Sequence, residues 1–468
     1  MKKLYLHREV AMRLLKGLDL LALIPLNVIL STLYAQSSNP EAPVLIGFQA
    51  IAAAFLALIA VRSFKLYEPI NLTHFTTMVK SFICIAVATQ IVAALMHFIG
   101  VTLVYPWFLM WNGGLLVYVT LSRLFFLCLY RGAEQGKLSR RIAIVGGGQA
   151  AEDAINTLER SKGIQVEIVG LFDDRADKRS PDSIRKYRKL GKIADLAQYH
   201  RETPVDLIIV AIPMSAEARL MQILKNIWEL PVDIRVSGQA AVLKLSPRAY
   251  DYLGDLPLLA VFDRPLNPWN DFIKDKLDRL IALCALIALS PVMACVALAV
   301  RLESKGPILF TQKRYGFNNE LIEVYKFRSM YVDKSDATAA KLVTKNDPRV
   351  TRVGRIIRKT SMDELPQLFN VLKGQLSLVG PRPHATQAKA AGGLYDQVVE
   401  GYFARHKVRP GITGWAQING WRGETDTVEK IEQRVKHDLE YIDRWSLALD
   451  FYILFKTPFV LFKSENAY

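Results

Sequence analysis

Residues 280–302 read LIALCALIALSPVMACVALAVRL, an apolar run long enough to cross a bilayer, with Ser290 and Pro291 at its centre. About 20 apolar residues reach across a membrane core. A proline in mid-helix, however, removes one backbone hydrogen bond and crowds the carbonyl four residues earlier, which predicts a bend or a break. Ser290 is suited to bond the backbone group so released. Both flanks are basic: Lys274, Lys276 and Arg279 before, Arg301, Lys305, Lys313 and Arg314 after. Positive charge marks the cytoplasmic side, so a straight span would strand one cluster outside. The expectation is a re-entrant helix, broken at Ser290 and Pro291, that enters and leaves on one face.

Upstream, apolar runs at about residues 18–34, 43–61, 79–104 and 107–130 each approach spanning length. The first is interrupted early by Asp19 and has no small-residue cleavage site, so it does not read as a removable signal. Lys2, Lys3, Arg8, Arg13 and Lys16 precede it, Arg62 and Lys65 follow the second, and Arg131, Lys137, Arg140 and Arg141 follow the fourth. This pattern puts the N-terminus in the cytoplasm and returns the chain there after four crossings. The composition agrees: 468 residues, 51% hydrophobic, mean hydropathy +0.16 and net charge +16. No nucleic-acid reading motif accompanies that charge, so nucleic acid is not an expected partner. The four cysteines lie in apolar runs without paired spacing and read as neither disulfides nor zinc ligands.

Between residues 138 and 265 the character changes. RIAIV, VEIVGLF, VDLIIVAI and VDIRVSG alternate with helical stretches, which argues a parallel, doubly wound α/β domain. Gly146, Gly148 and Ala151 fit G-x-G-x-x-A after the first strand, with Asp173 and Asp174 where a ribose ligand would lie. The pattern supports the fold more than a cofactor, and bound NAD is not expected. The organisation expected is therefore 1–137 (four transmembrane helices), 138–265 (Rossmann-like α/β) and 266–468 (re-entrant helix and a mixed α/β catalytic domain).

The chemistry is concentrated in residues 349–383, RVTRVGRIIRKTSMDELPQLFNVLKGQLSLVGPRP. Guanidinium forks suit phosphate oxygens, and adjacent acids such as Asp363 and Glu364 suit Mg²⁺. Arginines, an acid pair and no zinc-type ligands point to phosphoryl transfer on an anionic substrate. Pro366 is comfortable only in a helix's first turn, which predicts helix entry near Asp363. Arg352 and Arg355 read equally as a solvated basic face. Lys326 and Arg328, at the end of the alternating run LIEVYKF, are expected on one face near the substrate, where they would bind its phosphate, with a structural salt bridge as the alternative reading. The run from Trp445 to Lys463 reads as an interfacial amphipathic helix, and His384 and His406 receive no role.

From about Asp271 onward the chain resembles the bacterial sugar transferases, the monotopic phosphoglycosyl transferases. The resemblance rests on Ser290 and Pro291, KFRSM (326–330), TSMDELPQLFNVLKG (360–374), SLVGPRP (377–383) and VRPGITGWAQINGWRGET (408–425). It implies transfer of a hexose-1-phosphate from a UDP-sugar to undecaprenyl phosphate with release of UMP. The ending is similar to the branch that moves glucose-1-phosphate at the start of exopolysaccharide synthesis. By the same resemblance Asp363 is the nucleophile, Glu364 its partner in holding Mg²⁺ or Mn²⁺, and Arg358 and Arg382 bind phosphate. The implied location is the bacterial inner membrane, multi-pass, with the catalytic domain in the cytoplasm. Self-association is left open. Two other classes stay in view: a membrane-bound nucleotide-sugar dehydratase or epimerase, for which the middle domain lacks a Tyr-x-x-x-Lys pair, and a non-catalytic assembly scaffold.

Overall fold

RRIAIV, LIIV and their neighbours become strands because β-branched residues run through them on both faces. In the computed structural model β1 (Arg140–Val145), β2 (Val166–Phe172), β3 (Ser183–Ile184), β4 (Tyr187–Gly191), β5 (Leu207–Val210), β6 (Asp233–Ser237), β7 (Asp251–Leu253) and β8 (Leu256–Phe262) form one sheet. The order is β3-β4-β2-β1-β5-β6-β8-β7. From β4 to β6 the pairs are parallel, and β3, β7 and β8 add antiparallel edges. Ile142 and Ile144 bury against α1 (Gln149–Arg160). Ala143 and Val145 bury on the other face with Leu220, Ile223 and Ile227 of a later helix, α2 (Glu217–Ile227). A sheet covered on both faces needs this continuous apolar register.

The described residues run from 140 to 463, apart from 162–165, 176–179, 214–215, 239–250, 333–346, 385–388, 391–392, 396–398, 400 and 424–426. Before residue 140 they are scattered positions, all helical, including 82–87 and 120–122. The chain divides into two compact units, Met1–Ser139 and Arg140–Tyr468. The four-span expectation falls largely outside the described residues.

After the sheet comes α3 (Pro268–Glu303), a single helix of 36 residues and, among the described residues, the one long and apolar enough to cross a membrane. Asn267 caps it, its side chain accepting from Asn270 N at 2.8 Å, with Pro268 at the first position. The expected break at Ser290 and Pro291 is corrected here: the helix runs through Pro291. The reason lies in the neighbouring hydroxyl. Pro291 orphans the Ile287 carbonyl, and Ser290 Oγ donates to that oxygen at 2.8 Å. Leu283, Ile287, Val292 and Leu298 on this helix stay exposed.

The hairpin of β9 (Leu309–Tyr315) and β10 (Leu321–Phe327) follows, then α4 (Arg352–Lys359), α5 (Gln367–Leu372), and the short parallel pair β11 (Ser377–Val379) and β12 (Gly411–Thr413). The chain closes with α6 (Val428–Asp443) and α7 (Leu447–Lys463). Ala282 and Leu286 of α3 pack with Val324, Val371, Leu378, Tyr441 and Ile453, while Val296 and Val300 pack with Phe327 and Ile357. Both halves of α3 are thus built into the same catalytic lobe. α7 buries Asp450 and Ile453 and exposes Phe451, Phe455 and Phe459 at four-residue spacing.

Candidate active site

The Asp363 turn lies between α4 and α5. Ser361, at φ +57° in the left-handed region, reverses the chain, and Met362–Glu364 form a 3₁₀ turn. α5 starts only at Gln367, so the expected helix entry at Asp363 is corrected to one turn later: Pro366 is the cap, not a first-turn residue. The turn is anchored from below. Asn370, fully buried, accepts from Tyr325 N at 3.0 Å and donates to Glu323 O at 2.6 Å, pairing with the open edge of β10 as a strand would. Ile322 and Val324 of β10 are buried, and period 2 carries Lys326 onto that same side.

Glu364 is held on both oxygens. Lys326 Nζ donates to Oε1 at 2.8 Å, and Arg382 grips the carboxylate with both terminal nitrogens, Nη1 to Oε2 at 3.1 Å and Nη2 to Oε1. Burial would raise the Glu364 carboxyl, but Arg382 and Lys326 outweigh it and hold it well below the usual carboxylate range. Asp363 has the opposite fate. Burial pushes it up to about 6, with the charge on Glu364 adding to the rise and Lys326, Arg358 and Arg382 opposing it. The two adjacent acids thus differ in their affinity for a proton, Glu364 being clamped and ionised and Asp363 not.

Arg382 is itself braced from behind. Arg405, fully buried and ion-paired with Asp438 at 2.5 Å, donates to the Arg382 carbonyl at 2.7 Å. Arg405 Nη1 also donates to His384 Nδ1 at 2.7 Å, and burial with the Arg405 charge holds His384 well below its ordinary value, hence neutral. Arg358 projects from the last turn of α4 and, among the described residues, no hydrogen bond engages its guanidinium.

Arg328 does not join the site. β10 ends at Phe327, so the alternation stops, and the Arg328 guanidinium donates to Ser304 O at 2.6 Å and Lys305 O at 3.0 Å at the end of α3. Its expected phosphate role is corrected to that of a helix C-cap. Two cations at the site were not singled out from sequence. Arg314 donates to Pro383 O at 2.5 Å, and burial, with Arg382 nearby, lowers it to about 10. Arg422 donates to Ser361 Oγ at 2.6 Å. Strand alternation in β9 does not single out Arg314; Arg422 lies inside the quoted run 408–425.

Five cations therefore surround two acids, an excess that suits a diphosphate. Among the described residues no group of three or more His, Cys, Asp or Glu side chains is arranged to hold a metal. Asp363 and Glu364 nevertheless fit Mg²⁺, which takes one or two protein carboxylates and completes its shell with phosphate and water. In the α/β lobe the glycine loop packs against its own chain. A Cβ on Gly147 would meet Ser180 Oγ at 2.7 Å, Asp173 is paired with Arg175 at 2.7 Å, and Asp174 with Arg219 at 2.6 Å. Gly148 serves as the N-cap of α1.

Cations gathered around paired carboxylates, in a lobe that holds one helix long and apolar enough to cross a membrane, suit an enzyme acting on phosphorylated substrates. Residues 269–464 match the bacterial sugar transferase family, and residues 63–238 match a CoA-binding domain. Over 333 residues the chain is 41% identical to the undecaprenyl-phosphate glucose phosphotransferase of Komagataeibacter xylinus, covering 71% of this chain and 61% of that protein. It is 38% identical over 345 residues to the UDP-glucose:undecaprenyl-phosphate glucose-1-phosphate transferase of Escherichia coli K12, covering 73% and 72%. An Aeromonas hydrophila UDP-N-acetylgalactosamine-undecaprenyl-phosphate N-acetylgalactosaminephosphotransferase is 44% identical over 192 residues, 41% of this chain and 44% of that protein. The chain belongs to the bacterial sugar transferase family.

Proposed function

We propose that this protein transfers glucose-1-phosphate from UDP-glucose to undecaprenyl phosphate, releasing UMP, as the first membrane step of exopolysaccharide synthesis. The observation that carries the reading is the divided carboxylate pair: Glu364 fixed and ionised by Arg382 and Lys326, Asp363 beside it without such a clamp. Asp363 Oδ attacks the sugar-bearing phosphorus, the bond to the UMP oxygen breaks, and an acyl phosphate forms. A phosphate oxygen of undecaprenyl phosphate then attacks the same phosphorus, and the Asp363 carboxylate leaves unchanged. Arg358 and Arg382 bind the phosphates and offset charge in the transition state. Asp363 and Glu364 would hold Mg²⁺ or Mn²⁺, which neutralises the diphosphate and lowers the Asp363 carboxyl when bound. Lys326 keeps Glu364 ionised through both steps.

The membrane arrangement belongs to the same reading: four N-terminal spans, a cytoplasmic catalytic lobe on the bacterial inner membrane, and α3 bending at Pro291 without a break, so that it enters and leaves on that side. Its support is that both ends of α3 bond one lobe. Lys274 Nζ meets Asp450 at 2.6 Å at one end, and Glu303 accepts from Arg352 N and Val353 N at 2.6 and 2.9 Å at the other.

The test is UMP release in detergent with undecaprenyl phosphate and a panel of UDP-sugars, with and without EDTA. Release from UDP-glucose that requires a divalent ion is expected. Preference for an N-acetylated sugar would reassign the hexose, and full activity after chelation would remove the metal.

A further inference from the structure

Arg422 is the site cation that comes from the C-terminal loop, and its two terminal nitrogens differ. Nη2 donates to Ser361 Oγ at 2.6 Å, whereas Nη1 is buried without a hydrogen-bond partner. A buried, charged N–H left unpaired is unfavourable. The arrangement also sets Arg422 against Arg382: burial and that neighbouring charge lower its pKa, while Glu364 and Asp363 pull it back. An anion lying between the two guanidiniums would satisfy Nη1 and relieve the repulsion at once. Phosphate oxygens match the planar fork. Ser361 begins the turn that carries Asp363, so the same side chain touches the element that presents the attacking carboxylate.

We propose that Arg422 contacts the diphosphate of the nucleotide-sugar substrate through Nη1 while Nη2 holds the Asp363 turn at Ser361. This inference rests on the transferase reading above. It adds a residue on the side of the site opposite in sequence to Arg358, from a loop more than sixty positions away. Arg422 Nη1 thus joins the Arg358 guanidinium as a donor open to the substrate phosphates.

The test uses the full chain in detergent, with UDP and uridine as competing ligands in the UMP-release assay and in direct calorimetric binding. Arg422→Ala should raise KM for the UDP-sugar and weaken UDP binding by about tenfold to a hundredfold, leaving uridine unaffected. Arg422→Gln keeps a polar, hydrogen-bonding side chain of part of the length but not the charge; it guards against misfolding of the alanine variant and should lose UDP binding similarly. Arg422→Lys should be intermediate, since a point charge replaces a fork. Ser361→Gly suits the left-handed backbone and removes the hydroxymethyl group that Nη2 grips, so UDP binding should fall by clearly less than in Arg422→Ala. Unchanged UDP binding in both Arg422→Ala and Arg422→Gln would overturn the inference. So would a loss in Ser361→Gly equal to that in Arg422→Ala, because Arg422 would then act only as a brace. If the wild type releases no UMP yet the Arg422 variants lose UDP binding, the anion contact stands and the transferase reading falls.

Discussion

Asp363 carries two linked consequences that a single substitution separates. Its carboxyl is raised from 3.8 to about 6, so the folded chain retains a proton that the unfolded chain releases. Between roughly pH 4 and 6 folding therefore takes up a proton, and stability falls as pH rises through that window. Above it the ionised carboxylate is a cost to the fold. Full conversion of the shift gives about 3 kcal/mol; partial exposure to solvent reduces this to about 1–2 kcal/mol. Asp363→Asn is expected to unfold later than wild type at pH 7 by that amount, with the gap closing toward pH 4, while Glu364 remains clamped in both proteins. The same variant should form no phosphosugar adduct from labelled UDP-sugar. With Mg²⁺ present, the acid limb of wild-type UDP-sugar-dependent adduct formation should fall below pH 6, since the nucleophile must be ionised and a bound cation lowers its carboxyl. An adduct on the Asn variant would reassign the nucleophile, and equal melting curves at pH 7 would refute the buried-charge argument.

At the scale of elements, α5 and β10 form the platform, and Asn370 joins them. Truncating it to alanine leaves the Tyr325 N–H and the Glu323 carbonyl without their partners, a loss of about 2–4 kcal/mol. Thermal unfolding in detergent should show it, together with reduced UMP release as Lys326 loses its register with Glu364. An unchanged melting temperature would mean that water or the Gln375 side chain replaces Asn370. This joint was not legible in the sequence, because nothing local in NVLKG announces a long-range partner. What was legible had local causes. The four parallel strands follow from unbroken β-branched runs, and the Ser290 bond follows from the carbonyl that a proline must orphan. Strand β4, next to one edge, and β7, at the other, have polar, mixed faces and leave no apolar run for that reason. Arg328 was misread because alternation describes a strand only as far as the strand extends. Helix entry was misread because a left-handed Ser361 and a 3₁₀ turn precede α5, and neither leaves a periodic trace.

At the scale of the whole chain, the motifs assigned to chemistry all follow Asp271, which makes the transferase lobe a candidate for independent activity. The structure moves the place to cut. α3 starts at Pro268 on its Asn267 cap, and Leu266 is already part of the catalytic core, so a truncation should begin before Leu266. The α/β lobe is not a passive neighbour either. Lys407 Nζ lies 5.3 Å from the Trp228 ring and 5.8 Å from Phe262, and Gly401, at φ +74°, packs so closely that a Cβ there would meet Trp228 at 2.8 Å. Gly401 and Lys407 bracket the turn that carries Arg405, the residue bonded to the Arg382 carbonyl. Removing the α/β lobe therefore exposes the support of Arg382, the arginine proposed to bind phosphate. The truncated protein, shown to be monodisperse, is expected to release UMP with a lower kcat and a lower melting temperature than the full chain. Trp228→Ala in the full chain should reproduce part of both losses, at about 2–4 kcal/mol for a large packed aromatic and its cation–π contacts. If the truncated protein is as stable and as active as the whole, the contact at Gly401 carries no coupling. If it is folded but inert while Trp228→Ala is fully active, the α/β lobe contributes to the site by another route, and the glycine loop at Gly146 and Gly148 becomes the first place to look.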